Sequence, residues 1–327
     1  MAIKYLDAKR IRALSSDTLP TNIPAGTIAE LTDTYKYKWW NGTLWYPPAY
    51  GIWAGGAGPL DTLDYVNIDT VGNAADFGDL TIVKYSTSGA ADSSRGLFSG
   101  GGNTTSNVID YITIATLGNA TDFGDSTIDT RGRCGISNTT YGTWMGGVSS
   151  SNVIDRVTVQ TLGNATDFGD LTVGRHNTAG GHSTTRGVCM AGENSGGTSN
   201  VIDYITIATT GNATDFGDTS AGKEAPAGVS NLTRCAVGGG YVSGGVNTID
   251  YVTIATTGNA TDFGDMTHST YGGAGVDSGS SSGRGCFGGG ATTVNIIDYI
   301  TIASVGNATD FGDLTAGRYY LGSVSAA

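Results

Sequence analysis

The sequence predicts an all-β protein, with a small N-terminal β-hairpin module over residues 1–49 and a six-bladed β-propeller over residues 50–327. Three observations predict it. Glycine supplies 53 of the 327 residues, more than twice its usual share of about 7%. Heptads and long 3.6-residue apolar stripes are missing, which removes coiled coils and helical bundles. A unit of about 47 residues recurs six times. That length fits a four-stranded blade and not the shorter coils of a β-solenoid.

The clearest copy is Asn200–Asp218, NVIDYITIATTGNATDFGD. Its first Asp recurs at Asp64, Asp110, Asp155, Asp203, Asp250 and Asp298, and the Asp opening DFGD at Asp76, Asp122, Asp167, Asp215, Asp262 and Asp310. Both series have spacings of 46, 45, 48, 47 and 48, so length variation falls between the repeated cores. Each unit divides into four strands. A glycine-terminated strand such as GLFSGGG from Gly96 comes first, then a variable loop and the strand VIDYITI, apolar on both faces as a sandwiched blade requires. Gly-Asn, as in Gly118-Asn119, is expected to make a tight hairpin turn into the DFGD strand. A segment such as Val173–Ser183 supplies the fourth strand. The first unit lacks that segment, and the last ends in it, LTAGRYYLGSVSAA. Residues 317–325 are therefore expected to complete the blade begun at Gly51, closing the ring and removing its edges.

Composition excludes several classes. Hydrophobic residues make up 39%, enough for a core, and no window approaches 18 apolar residues, so no membrane insertion is expected. Residues 1–49 carry a net charge of +2 and residues 50–327 a net of −14, which argues against nucleic acid as a partner. Of the 25 acidic groups in the second region, 18 belong to the repeat, so the acidity follows from architecture. The N-terminus has no apolar h-region, so cytoplasmic synthesis without a signal peptide is expected. Cys134, Cys189, Cys235 and Cys286 form no CxxC, making zinc or thioredoxin chemistry unlikely by spacing. Cys235 and Cys286 fall in the column of Leu97, and Cys189 in that of Trp53, Phe98 and Trp144, as small buried hydrophobes.

Candidate sites were weighed from the same columns. Asp110, Asp122 and Asp125 put three carboxylates in each repeat, short of the six to eight oxygens calcium takes, and Asp side chains bonding turn N–H groups explain them without metal. Asn119, Asn164, Asn212, Asn259 and Asn307 match the glycosylation sequon, which turn chemistry also explains. His176, His182 and His268 show no ligand spacing, and no catalytic constellation emerges; no catalytic residue, cofactor or metal is expected. Trp39, Trp40, Trp45 and Tyr46 flank a hairpin tip at Trp40-Asn41-Gly42 and must pack on something: the propeller itself, an assembly partner, or a host sugar stacked on the rings. The loops Glu193–Ser199, Gly240–Val246 and Ala291–Asn295 sit on a rigid scaffold where recognition commonly lives, with Glu193, Asn194 and Tyr241 as their candidates.

The double glycines Gly55-Gly56, Gly146-Gly147, Gly238-Gly239 and Gly288-Gly289 resemble those of kelch-like propellers. Phe77, Phe123, Phe168, Phe216, Phe263 and Phe311 stand where the kelch tryptophan would be. The repeat IDYITIATTGNATDFGD is similar to repeats in virion proteins of tailed bacteriophages, particularly those of cyanobacteria. Leu19–Pro47 resembles the short N-terminal β-module of phage tail and fibre proteins. These resemblances imply a non-enzymatic virion component, a tail fibre or adhesin presenting blade loops to the host surface. They imply attachment to other tail proteins through the N-terminal module, a homo-oligomer (a trimer favoured), and a host glycan or protein as receptor. The alternatives are a purely architectural tail or capsid part, and an enzyme acting on surface polysaccharide.

Overall fold

The computed structural model describes residues 4–7, 10–13, 19, 21, 23, 27–31, 36–40, 45–46, 49–58, 60–277, 283–291 and 294–325. The described chain contains no helix, and six four-stranded antiparallel sheets form the blades of a propeller. Blade 2, from the axis outward, is Ser88–Ala91, Arg95–Ser99, Ser106–Thr113 and Thr121–Thr130. Blades 3 to 6 repeat this order with inner strands Cys134–Ser137, Ala179–His182, Ala227–Ser230 and Ala274–Asp277. Blade 1 is completed by the C-terminal strand Gly322–Ser325, which pairs with Tyr50–Ala54 in the register Gly322↔Ala54 to Ser325↔Gly51. The expected closure is therefore present. Trp53 seals it from the side, donating its indole N–H to the Ala274 carbonyl of blade 6 at 2.9 Å.

The sandwiched strands form the core. Between blades 4 and 5, for example, Val188, Met190, Ile202 and Phe216 pack against Cys235, Val237, Val252 and Ile254. Each DFGD phenylalanine is 3% exposed, and in five blades it meets the tyrosine of the third strand edge-to-face, as Tyr204 meets Phe216 at 6.0 Å. All four cysteines are free and buried. Strand register puts Cys235 opposite Val252, in the column of Gly96 opposite Ile112, one place from the expected column of Leu97.

The repeated motif works between blades. Seven residues, not a tight Gly-Asn turn, join the third and outer strands, as 207–213 do in blade 4. The Gly-Asn-Ala arm instead reaches the preceding blade. Gly211 and Ala213 donate N–H groups to Phe168 and Asp170 carbonyls at 2.9 and 2.8 Å, and Asn212 Oδ1 accepts from the Asp170 N–H at 3.1 Å. The same contacts recur at all six junctions, Asn73 reaching Asp313 across the closure. The sequon asparagines are thus held by backbone. The glycine of DFGD permits this approach: at Gly264 (φ +142°) a Cβ would stand 2.6 Å from the Gly306 carbonyl. Gly264→Ala is expected to lower stability by roughly 1–3 kcal/mol through clash and backbone strain, read from the denaturant midpoint.

The Asp of the third strand has a different role from the one expected. Instead of bonding turn N–H groups alone, it is buried at every blade and, at five of the six junctions, takes a Lys or Arg from the segment leaving the preceding blade. The pairs are Lys84–Asp110 (3.3 Å), Arg133–Asp155 (2.7 Å), Arg175–Asp203 (2.8 Å), Lys223–Asp250 (3.0 Å) and, across the closure, Arg318–Asp64 (2.6 Å). At the fifth junction His268 stands 3.4 Å from Asp298. A hydroxyl five residues after the first Asp of DFGD completes each group: Thr81, Thr127, Thr172, Ser220, Thr267 and Thr315 donate to the same carboxylates. Burial pulls the Lys84 ammonium down to about 8 against the attraction of Asp110. The balance fits buried ion pairs, whose desolvation rivals their attraction.

The N-terminal residues form a five-stranded sheet, larger than the hairpin expected. Its order is Lys4–Asp7, Arg10–Ala13, Thr27–Leu31, Lys36–Trp40 and Trp45–Tyr46, and the second and third strands pair in parallel. The expected tip at Asn41-Gly42 lies outside the described residues.

Candidate functional site

Inner strands run from one face of the ring to the other, so the two faces carry different connections. One face carries the hairpins between inner and second strands and the Gly-Asn arms. The chain joins blade 1 at this face through Ala49, whose carbonyl accepts from Ile68 N–H at 2.9 Å. The opposite face carries the variable loops and the six links from each outer strand to the next inner strand.

Those links close a second, smaller ring over the axis. Ser86 donates its N–H to the Tyr320 carbonyl, Gly132 to Ser86, Asn177 to Gly132, Ala225 to Asn177, Gly272 to Ala225 and Tyr320 to Gly272, at 2.5–2.9 Å. All six residues have φ between +50° and +71°. Four are not glycine, and each costs about 1 kcal/mol in this left-handed conformation. The hydrogen-bonded cycle holds them there. A cavity of about 50 Å³ is lined by these residues and their neighbours.

The residue before each ring member breaks the repeat. That column is Tyr85, Arg131, His176, Glu224, Tyr271 and Tyr319, no two neighbours being alike except across the closure of blades 5, 6 and 1. Two variable loops join them. Glu193 forms a backbone bridge with His176, and Tyr241 forms one with Glu224. The rings make a continuous arc: Tyr241–Tyr271 at 5.2 Å, Tyr271–Tyr320 at 6.5 Å, Tyr320–Tyr85 at 5.0 Å and Tyr320–Tyr319 at 5.2 Å between centroids. Arg131 lies over Tyr85 at 5.1 Å, with its guanidinium donating to the Thr104 carbonyl at 2.8 Å. His176 Nε2 is 3.4 Å from Glu193 Oε2, and the Gly192 N–H bonded to the Lys223 carbonyl at 2.8 Å brings the chain around Glu193 beside that of Glu224. The result is a circle of aromatic, acidic and basic groups around a rigid cap.

Burial, then the hydrogen bond and charge of Glu193, push the Glu224 carboxyl up to about 7. A raised carboxyl keeps a proton in the folded chain that the unfolded chain has released. Its contribution to stability is therefore complete below the ordinary value of 4.5 and is lost as pH rises through about 7. Side-chain carbon NMR is expected to show a midpoint near 7 for Glu224, moving toward the ordinary range in Glu193→Gln.

Of the residues singled out in the sequence, the structure brings Glu193 and Tyr241 to this circle. Asn194 turns away into its own hairpin, its side chain accepting from Gly196 N–H at 2.8 Å. Trp39 and Trp40 pair with Tyr46 and Trp45 in the N-terminal sheet; their side chains lie outside the described residues. Tyr85, Arg131, Glu224, Tyr271, Tyr319 and Tyr320 carry no sequence motif, and His176 has no ligand spacing, so the circle has no local signature. Aligning the residues just before each inner strand exposes a column whose chemistry changes from blade to blade.

The axial cavity, about 270 Å³, is lined by the inner strands. At its far end His182 donates its backbone N–H to Ser230 Oγ, and Ser230 its own to Asp277 Oδ2, at 3.1 Å each. These contacts run through backbone, and burial lowers the His182 imidazole to about 4. They do not form a nucleophile–base pair. Among the described residues no three His, Cys, Asp or Glu side chains are placed to hold a metal ion.

The fold is that of a six-bladed β-propeller. No protein-family model matches the chain, and no curated protein matches it.

Proposed function

We propose that the protein is a non-enzymatic bacteriophage virion component, a tail fibre or adhesin that presents the tyrosine–carboxylate face to the host surface. The observation carrying this is the polarity of the ring. The chain enters the ring through Ala49 at the face bearing the Gly-Asn arms, while the circle of Tyr85, Arg131, His176, Glu224, Tyr271 and Tyr319, which changes chemistry from link to link, lies on the other face. A scaffold held at one end and chemically distinct at the other suits recognition by its free face. The N-terminal sheet, with its aromatic strand Lys36–Trp40, is the attachment module in this reading. It joins the chain to other tail proteins and to further copies of itself, a trimer being favoured. Cryo-electron microscopy of the assembled virion tests the reading. The circle facing outward supports it. The circle buried against tube or shell would leave a purely architectural part.

One observation favours a second reading, a hydrolase acting on surface polysaccharide. Glu193, Glu224 and His176 cluster on one blade top, and a carboxyl held near 7 suits a general acid. Reducing ends released from host polysaccharide by the protein, and lost in Glu224→Gln, would establish it over the adhesin.

A further inference from the structure

The circle also indicates what kind of receptor it fits. We propose that it is a binding site for an uncharged saccharide, with Tyr241, Tyr271, Tyr320 and Tyr85 as the stacking platform and Glu193 with Glu224 as the group that takes sugar hydroxyls. This rests on the recognition reading above.

Three features carry it. The first is the aromatic arc. Four rings, three from links between blades and Tyr241 from the variable loop of blade 5, stand in sequence 5.0–6.5 Å apart, half-buried except for Tyr241, which is 37% exposed. Tyrosine offers a rigid apolar face with a polar edge, and orders at little entropic expense because it has few rotatable bonds. The apolar C–H face of a pyranose matches such a surface. The second is the carboxyl pair beside the arc. Glu193, 3.4 Å from His176 Nε2, and Glu224, whose carboxyl is held up to about 7, together offer acceptor and donor positions, the combination that a hydroxyl needs when it leaves water. The backbone bridge joining Tyr241 to Glu224 fixes the pair against the platform.

The third is charge. The chain has a formal net charge of −12. Within the circle, the one arginine is already engaged by the Tyr85 ring and the Thr104 carbonyl. An acidic glycan would meet Glu193, Glu224 and the negative field of the blades with no free guanidinium to receive it. Uncharged sugars avoid that repulsion. A protein receptor would need a broad complementary surface, on the scale of about 800 Å² per partner. The circle concentrates its chemistry in a few rings and one carboxyl pair.

The test titrates the purified full chain with neutral gluco-, manno-, galacto- and xylo-oligosaccharides, using polygalacturonate and a sulfated glycan as acidic probes. Saturation-transfer NMR reads binding. At least one neutral series is expected to bind, with transfer from tyrosine ring protons. Affinity is expected to fall about tenfold in Tyr241→Ala and in Glu193→Gln, a loss of about 1.4 kcal/mol. Both variants alter half-exposed or exposed side chains, and unchanged melting temperatures confirm their folds. Preference for the acidic probes, no binding to any neutral series, or affinity indifferent to both substitutions would each overturn the saccharide assignment. The virion map separates this failure from the broader one. A circle facing outward that binds no neutral sugar removes only the saccharide, whereas a buried circle removes recognition altogether.

Discussion

Deletion of residues 317–327 is expected to abolish cooperative folding at ordinary temperatures, or to lower stability by roughly 5–10 kcal/mol, the scale of a whole domain's margin. Three losses coincide. The strand Gly322–Ser325 no longer pairs with Tyr50–Ala54, so blade 1 loses its axial strand and exposes an edge. Asp64 loses Arg318 and stays buried without its cation, which alone costs about 3–5 kcal/mol. Tyr320 leaves the axial cycle, which then has an unpaired donor at Ser86 and an unpaired acceptor at Gly272. Thermal unfolding followed by circular dichroism, with size-exclusion chromatography for association through the new edges, checks this. A truncated chain with unchanged melting temperature would sink the account of closure.

Asp203→Ala is expected to cost about 3–5 kcal/mol, because Arg175 then stays buried beside the Cys189 carbonyl with no carboxylate to balance it. Replacing both, Asp203→Leu with Arg175→Met, should restore much of the loss, since well-packed apolar pairs often equal buried ion pairs. The corresponding change at the fifth junction, Asp298→Ala, is expected to be milder. Its partner His268 is partly exposed and stands 3.4 Å away, a longer contact than the 2.8 Å of the fully buried Arg175 guanidinium. Chemical denaturation of the three variants gives the comparison. Equal losses at Asp203 and Asp298 would mean that the hydroxyl contacts, and not the cation, dominate at these carboxylates.

Much of the architecture was legible because it is periodic along the chain. The equal spacings of Asp64 through Asp298 set the blade count, and the displaced copy Leu314–Ala327 told how the ring closes. The pairing partners of those aspartates were not legible. Lys84, Arg175, Lys223 and Arg318 follow the first Asp of DFGD by 8 residues, but Arg133 follows it by 11 and His268 by 6, so the column breaks at two of six junctions. Each also serves the next unit instead of its own. The Gly-Asn arm misled for the same reason: within one repeat it resembles a turn, and its partner lies some 40 residues earlier in sequence. The circle on the free face escaped because it is defined by a closed backbone cycle that joins residues up to 234 positions apart. The parallel pairing of Arg10–Ala13 with Thr27–Leu31 left no local sign, since parallel strands need no turn between them.

Every contact between blades here is head-to-tail: cation forward to Asp, asparagine back to the preceding outer strand. Interfaces of that kind make a ring when the rotation per unit closes and an open helix when it does not. Here six units close, and the axial cycle of Ser86, Gly132, Asn177, Ala225, Gly272 and Tyr320 closes with them. Six left-handed residues close that loop with one bond each. A chain with one unit excised would keep every side-by-side contact yet leave the loop one member short. Such a chain should seek its missing neighbour in another molecule, so the step from a closed ring to a growing polymer is a single deletion of about 47 residues.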